Sequence, residues 1–452
     1  MKFNNFKQYK IMVGVAISLA ALISCNSGTS NDGSTTHLGD FNVSTNNMMA
    51  LNGSEWVYVS LEDSWNNEVA NIKVTNSDDS VITVSQNTCT QLSPDDVSCK
   101  FFIQGTNIGS STLTVSADGF NSVVESITVE RNWGIVGGDQ DYGIGNLSVS
   151  GDNVYAQSTA YDLPYVYVSN NGQPWQILGN SQAYESGLEN WGIASDESHV
   201  CAFAEGVVDH TSKGIVSCIT NGSSWNQLPN LPGAFFGGIS IYQGKVYVEI
   251  FDGDGYNAKY CPIDNCTEWQ QLGQPFPNFD MTTNTLGMFE STALIESGNG
   301  VYFLDTNGSW SLYGTYTPGT SNYINALYTE SEVFVMPLNE SFLGPFNQEI
   351  EYNNLSDLGG DFSFINNGIN VNAYACASRS ALANRNNTIY AAPQNGNIYA
   401  SINVNGIWSD WSQIGSSTVP ICNIYTNNDG TKLYSLYTDS AGHGQIYIYS
   451  LK

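Results

Sequence analysis

A five-residue phrase recurs seven times between residues 133 and 415, and it constrains the fold of this chain more than any other feature. It reads aromatic or leucine, two variable residues, an aliphatic or aromatic, then Gly or Pro. The copies start at Trp133, Trp175, Trp225, Trp269, Trp310, Leu355 and Trp411, with gaps of 42, 50, 44, 41, 45 and 56 residues. A period of about 45 with β-rich composition is the length of one four-stranded β-propeller blade. A second phrase precedes most copies by 22 to 26 residues: Asn153-Val-Tyr-Ala, His199-Val-Cys-Ala, Lys245-Val-Tyr-Val, Glu332-Val-Phe-Val and Thr388-Ile-Tyr-Ala. Lys432-Leu-Tyr-Ser repeats it after the last copy, and Thr292-Ala-Leu-Ile departs from it. Asn171-Gly172, Asn221-Gly222, Asn307-Gly308 and Asn405-Gly406 stand just before a Trp. Asn-Gly predicts a tight hairpin with positive φ at both central residues, so each blade's last strand starts at its Trp.

The ends of the array predict closure. Trp133 has no propeller strands before it, while Ile446-Tyr-Ile-Tyr-Ser450 has no phrase after it. Pairing the two completes a last blade and hides the edge strands. Seven blades follow, with six or eight left open by the uneven spacing.

Lys2, Lys7 and Lys10 ahead of the apolar run Ile11 to Ile23 read as a secretion signal over residues 1–24. The run is too short to span a bilayer as a helix. Its end, Leu22-Ile23-Ser24-Cys25, resembles the lipobox of bacterial lipoproteins. That resemblance implies cleavage before Cys25 and acylation of Cys25, and several acyl chains anchor far more firmly than one. Asn26 after the Cys favours an outer membrane where there are two, with the periplasmic or surface orientation left open. Residues 25–45, rich in Ser, Thr, Asn and Gly, read as the lipidated Cys and a flexible tether. Three of the 13 basic residues precede Cys25, so the remainder holds 10 against 42 acidic side chains, net −32. That balance excludes nucleic acid as a partner and adsorption to anionic lipid. The membrane is reached through the anchor alone.

Eight Cys follow Cys25, an even number for an oxidising compartment. Proximity suggests Cys89–Cys99, Cys201–Cys218 and Cys261–Cys266, leaving Cys376 for Cys422. Zinc is disfavoured, because no Cys-x-x-Cys occurs and His37, His199, His210 and His443 are scattered.

Residues 46–130 carry short β-rich runs at Trp56, Val81, Phe101 and Ser126, separated by polar turns. Gly109-Ser-Ser-Thr-Leu-Thr-Val-Ser-Ala-Asp-Gly119 resembles the penultimate strand of bacterial Ig-like domains, with Leu113 and Val115 facing the core. The expected fold is therefore all-β, a small Ig-like β-sandwich (46–130) followed by a seven-bladed propeller (131–452).

Ser169-Asn-Asn-Gly-Gln-Pro-Trp175 and Asp305-Thr-Asn-Gly-Ser-Trp310 resemble the Asp-box turns of sialidase-type propellers. The overall pattern is likewise similar to kelch and galactose-oxidase-type propellers. Neither activity is implied by the residues at hand. A sialidase needs three Arg at its substrate carboxylate, and the chain holds only Arg131, Arg379 and Arg385. Copper catalysis needs converging His and Tyr ligands. No catalytic residue is assigned. Asp252, Asp254 and Asn257 form a truncated calcium-loop pattern, competing with a plain hairpin turn, and calcium is the one cofactor candidate. Asp139-Gln-Asp141 and Asn427-Asn-Asp429-Gly are weaker cases.

The repeated Trp read as blade packing. Aromatics outside the repeat, Tyr142, Tyr161, Tyr165, Trp191, Phe235, Phe236, Phe276 and Tyr323, are expected in connections and are the ligand-contact candidates. The expected function is non-enzymatic binding of a protein or glycan by an anchored envelope or surface lipoprotein. A glycoside hydrolase or lyase with acids at the propeller axis is the alternative, and a scaffold for an envelope assembly the second.

Overall fold

The computed structural model describes residues 40–61, 69–92, 98–138, 143–158, 164–180, 183–184, 188–208, 211–221, 224–232, 235–251, 256–276, 287–289, 292–297, 300–305, 307–315, 324–328, 332–337, 346–348, 350–354, 362–365, 368–371, 382–394, 397–416, 424–438 and 444–451. Apart from one short 3-10 turn, its regular structure is all strand.

The N-terminal part is two facing four-stranded sheets. One orders Phe41–Ser44, Ser54–Leu61, Ser98–Gly105 and Ile82–Ser85; the other orders Met48–Ala50, Val123–Glu130, Gly109–Ser116 and Lys73–Asn76. Alternation drives this packing, since successive side chains on a strand point to opposite faces. Val57, Val59, Phe101 and Ile103 meet Leu113, Val115, Ile127 and Val129 in one buried cluster, closed at one side by the Cys89–Cys99 disulfide. The Gly109 strand is the penultimate one, with Leu113 and Val115 inward as expected.

From residue 133 the chain is a β-propeller of antiparallel sheets. The first holds Ile144–Ser150, Asn153–Ser158, Val166–Asn170 and Gln176–Ile177. The second holds Glu189–Ser195, His199–Val208, Thr211–Thr220 and Trp225–Gln227; the third, Phe235–Tyr242, Lys245–Phe251, Tyr256–Pro262 and Gln270–Phe276. The fourth holds Gly287–Phe289, Thr292–Ser297, Gly300–Leu304 and Trp310–Thr315; the fifth, Ile324–Tyr328, Glu332–Pro337, Glu351–Asn354 and Ser363–Phe364. The sixth holds Leu382–Arg385, Thr388–Gln394, Asn397–Val404 and Ser412–Ser416. A closing sheet orders Tyr425–Thr426, Lys432–Thr438, Gly444–Ser450 and, outermost, Trp133–Ile135. There Trp133 pairs with Tyr449 and Ile135 with Tyr447, antiparallel. The first strand of each sheet touches that of the next, and Tyr425–Thr426 touches Ile144–Ser150.

The repeated phrase turns out to be a hydrogen-bonded coupling between neighbouring sheets. Trp175 Nε1 donates to Val136 O at 2.8 Å, Trp225 to Leu178 O at 3.1 Å, Trp269 to Pro229 O at 2.6 Å, Trp310 to Gln274 O at 3.0 Å and Trp411 to Ile365 O at 3.3 Å. Each indole thus reaches the end of the preceding copy. The fifth position is usually Gly because the next indole lies against it: a Cβ on Gly137 would sit 2.4 Å from Trp175 Nε1.

One copy was misplaced by the sequence pattern. The fifth sheet's last strand is Ser363–Phe364 and not a strand starting at Leu355, a residue that lies outside the described set. The repeat unit there is Phe362-Ser-Phe-Ile365. Ile365 N donates to Ile350 O as Val136 N does to Ile446 O and Leu228 N to Val216 O, and Ile365 O receives Trp411. The phrase was missed because it lacks both Trp and Gly. The Phe362 side chain has no donor, and the Tyr313 hydroxyl instead donates to Asn354 O while its ring meets Phe362 edge-on. In the closing sheet Trp133 Nε1 is buried with no partner among the described residues, and Tyr449 beside it donates to Ile414 O at 2.7 Å.

Replacing Trp225 by Phe should therefore keep the fold and cost about 0.5–1.5 kcal/mol, the net worth of one hydrogen bond. Trp225→Ala should cost about 3–5 kcal/mol. Denaturant unfolding of both variants measures the difference; a Trp225→Phe variant as stable as the parent would remove the indole N–H from the coupling.

Two turns match the expected Asn-Gly geometry, with φ of 49° and 76° at Asn171 and Gly172 and 55° and 84° at Asn405 and Gly406. At Asn307-Gly308 only the Gly has positive φ, because Asp305 Oδ1 accepts from both Asn307 N and Ser309 N at 2.9 Å and shapes a wider turn. The Cys201–Cys218 and Cys261–Cys266 disulfides form within the second and third sheets. Cys201 and Cys218 face each other across paired strands, a bridge worth about 3 kcal/mol for a loop of that size. Cys376 and Cys422 lie outside the described residues.

The sandwich is docked on the propeller rim. Ser54 Oγ donates to Ile135 O at 3.3 Å and accepts from Gly137 N at 2.9 Å. Gln104 Nε2 donates to Asn171 O at 2.7 Å, and Gln173 Nε2 donates to Gln104 Oε1 at 2.9 Å. Asn52 Nδ2 donates to Ser450 Oγ at 2.7 Å, whose hydroxyl donates to Leu51 O. The docking spans the closing strand, the C-terminal strand and the first sheet, so it covers the seam of the ring. Ser54, Gln104 and Ser450 are all buried, which strengthens these bonds and raises the cost of breaking them.

Candidate functional site

Antiparallel order decides which connections share a face. In each sheet the first-to-second and third-to-fourth turns lie at one end, here the turn face. The second-to-third connections, and those leading to the next sheet, lie at the other, the loop face. The loop face carries the additions to the plain blade plan. Phe346–Gln348 pairs there with Ile369–Val371, and Leu231–Pro232 folds onto Lys213 and Gly214.

The ligand-contact candidates gather on that side. Tyr165 precedes the third strand of the first sheet, half-buried, with its ring 6.3 Å from that of Tyr167. Trp191, Phe235, Phe236 and Phe276 were expected in connections but stand in strands. The first strands run on past a bulge, at Asn190/Gly192 and at Phe236/Gly238, which the alternation pattern does not reveal. All four belong to the loop-face ends of their strands. Tyr142, Tyr161 and Tyr323 lie outside the described residues.

Near this face Gln157 ties the first sheet to the second. Its Oε1 accepts from Asn146 Nδ2 at 3.0 Å, and its Nε2 donates to the Tyr184 hydroxyl at 2.7 Å and to Phe203 O at 3.0 Å. Burial pushes the Tyr184 hydroxyl well above the usual tyrosine range, against the opposing effect of the Gln157 bond. The sequence showed no signal for this bridge beyond a Gln in place of an apolar residue.

At the axis lies a cavity of about 400 Å³. Its aliphatic wall includes Leu147, Ile193, Ile239, Leu327, Leu382 and Ile424, with Ser148, Ser195, Ser240, Asn384 and Thr426 as polar members. Among the described lining residues none is charged. Ser148 and Ser195 hydroxyls bond each other at 2.7 Å, and Thr426 Oγ1 donates to Asn384 O at 3.1 Å.

The acidic turns act as caps. Asn427 Oδ1 accepts from Thr431 N at 3.0 Å and Lys432 N at 2.9 Å. The Thr431 hydroxyl on Asp429 holds that carboxyl below the usual carboxylate range. Asn257 Oδ1, one proposed calcium ligand, accepts from Gln271 Nε2 at 3.0 Å and is buried; Asp252, Asp254, Asp139 and Asp141 lie outside the described residues. His199 Nδ1 meets Asp196 at 3.1 Å within a turn. Among the described residues no three His, Cys, Asp or Glu side chains converge on a metal position, and no helix is long and apolar enough to cross a membrane. Cys25 lies outside the described set.

No family model matches the chain, and no curated protein is similar to it in sequence. Among solved structures it is similar to the β-propeller domain of the Trilobed protease from Pyrococcus furiosus, at 7% identity over 70% of this chain and 97% of that one, TM-score 0.45. It is also similar to the computationally designed Ika8 protein, at 13% identity over 70% of this chain and 98% of that one, TM-score 0.43. A shorter likeness, to domains 4 and 5 of the S-layer protein SbsC, has 23% identity over 20% of this chain and 50% of that one, TM-score 0.17. Likenesses at this level say nothing about what the chain binds.

Proposed function

We propose that this chain is an anchored envelope or surface lipoprotein whose seven-bladed propeller, carried on an Ig-like sandwich, binds a protein or glycan without catalysis. One observation carries the reading: the two ends of the molecule are divided between attachment and display. Residue 40 lies at the pole of the sandwich away from the propeller, where Asn121 bonds Asp40 and Phe41 meets Phe120. Asn52, Ser54 and Gln104, at the opposite pole, hold the propeller by its rim. A lipid on Cys25 and a tether over 25–45 would then hold the sandwich at the membrane and leave the loop face open to a ligand. Aromatic side chains beside Asn and Asp suit both sugar rings and protein surfaces.

The hydrolase or lyase reading stands second, because it needs paired carboxylates about 5–10 Å apart at the axis and the described wall there is aliphatic and hydroxylic. The test is an array of envelope proteins and glycans probed with the full chain carrying Cys25→Ser. A hit that weakens roughly tenfold with Tyr165→Ala or Phe276→Ala, a hot-spot loss of about 1.4 kcal/mol, supports loop-face binding. Turnover of a glycoside would replace this reading with the second, and stable co-purification with an envelope complex and no array hit would replace it with the scaffold.

A further inference from the structure

The ring closes at a junction that lacks what the other sheets have. In each of the six numbered sheets the fourth strand follows its third directly in the chain, so a local turn holds the two together. In the closing sheet the outermost strand, Trp133–Ile135, comes from the opposite end of the propeller, and it is joined to Gly444–Ser450 by pairing without a turn. Holding it there means closing a loop the length of the whole ring, which costs more entropy than closing a hairpin. The indole coupling is also missing. Trp133 Nε1 is buried with no partner among the described residues, and the Tyr449 hydroxyl bonds Ile414 O in its stead.

The sandwich docks at this junction. Ser54 and Gln104 are partners across its ladder, and they reach different sides of the seam. Ser54 holds Ile135 O and Gly137 N beside the closing strand, while Gln104 holds Asn171 O and Gln173 Nε2 in the first sheet's last turn. Asn52 adds the C-terminal strand through Ser450. The two bodies fit closely: a Cβ on Gly134 would lie 2.5 Å from that of Ala50, and one on Gly138 would lie 2.7 Å from the Trp56 ring. Phe102, edge-on to Trp56, is buried there.

We propose that the sandwich is a clasp that keeps the ring shut, so that opening starts at the seam and the sandwich sets how often it happens. A body bonded to both sides of a seam must let go of one side before they part, so the cost of opening includes its bonds. Those bonds are buried, which makes them stronger than exposed ones. Opening of this kind is a local event, below the cost of global unfolding, and amide exchange reads it residue by residue. This role goes beyond carrying the propeller, and it depends neither on the lipid anchor nor on what the loop face binds.

The test is hydrogen exchange by mass spectrometry on the full chain carrying Cys25→Ser. Ser54→Ala with Gln104→Ala removes the sandwich's side-chain bonds to the closing strand and the first sheet. Exchange over residues 133–136 and 444–450 should then quicken about tenfold or more, since each hydrogen bond lost is worth a few-fold. Exchange in the third sheet and in the sandwich core should stay as in the parent. Trp225→Phe, which weakens an ordinary coupling, should quicken exchange around residues 225–228 and leave the seam unchanged. Should the double variant fail to fold, Gln104→Ala alone decides, with a rise of roughly three- to tenfold at the seam. Seam exchange that does not change, a rise spread evenly over the chain, or an equal rise at the seam in Trp225→Phe overturns the proposal.

Discussion

Gly137→Ala should be among the most damaging single-methyl additions in this protein, costing about 2–5 kcal/mol. Two causes add. Gly137 has φ of 71°, a backbone region that costs other residues roughly 1–2 kcal/mol. Its new Cβ would also lie 2.4 Å from Trp175 Nε1, and overpacking of this kind costs about 1–3 kcal/mol. The strain falls where three parts meet: Gly137 N donates to Ser54 Oγ of the sandwich, and Trp175 donates to Val136 O across the seam. Gly151→Ala is the matched control. Its φ is 59°, but nothing lies within 4 Å of the added Cβ, so only the backbone cost of about 1–2 kcal/mol remains. Calorimetric melting of the two variants decides; if Gly137→Ala melts no lower than Gly151→Ala, the seam is not tightly packed.

High pH should unfold the protein steeply. Tyr155, Tyr167, Tyr184, Tyr247, Tyr390, Tyr399, Tyr434 and Tyr449 all have their hydroxyls pushed above the ordinary value of 10.0, with burial the first cause in each. The sign is fixed by proton counting. Above about pH 10 the unfolded chain releases tyrosine protons that the folded chain keeps, so stability falls as pH rises. It is fully present below that value. Tyr184 and Tyr434 are the most deeply placed, and each should remove about 1.4 kcal/mol per pH unit while the folded form stays protonated. Tyr434 adds a second cause, the nearby carboxylates Asp152 and Asp429, and its hydroxyl is buried with no partner among the described residues. Tyr434→Phe should therefore cost little at neutral pH and flatten the alkaline slope. Denaturant midpoints followed from about pH 8 to about pH 11, alongside tyrosinate absorbance, measure it. A midpoint that does not move over that range would sink the prediction.

The candidate site was less legible than the fold. Tyr165 and the strand-end aromatics could be picked out as non-repeat residues, but their shared face follows from strand direction, which no single phrase carries. Trp191 and Phe235 were misread as connection residues because a bulge interrupts period-two alternation without an obvious sequence mark. Asn257 looked like a metal ligand from its spacing, and only the third sheet shows its oxygen taken by Gln271.

By itself the sequence determined the β-propeller, the strand that closes it and three disulfide pairings. The period, the turn dipeptides and the short cysteine separations are local and survive in one dimension because each is set by neighbouring residues; the closing strand, which pairs Trp133 with Tyr449, follows from counting the repeat, which leaves an unpaired strand at each end. What the tertiary structure decided is where distant residues meet. It showed that five of the six repeated Trp donate to the end of the preceding copy, that Phe362 with Tyr313 takes the place of a Trp pair, and that the sandwich grips the seam through Ser54 and Gln104. Those contacts join residues tens to hundreds of positions apart, and they depend on three-dimensional packing that no local pattern encodes.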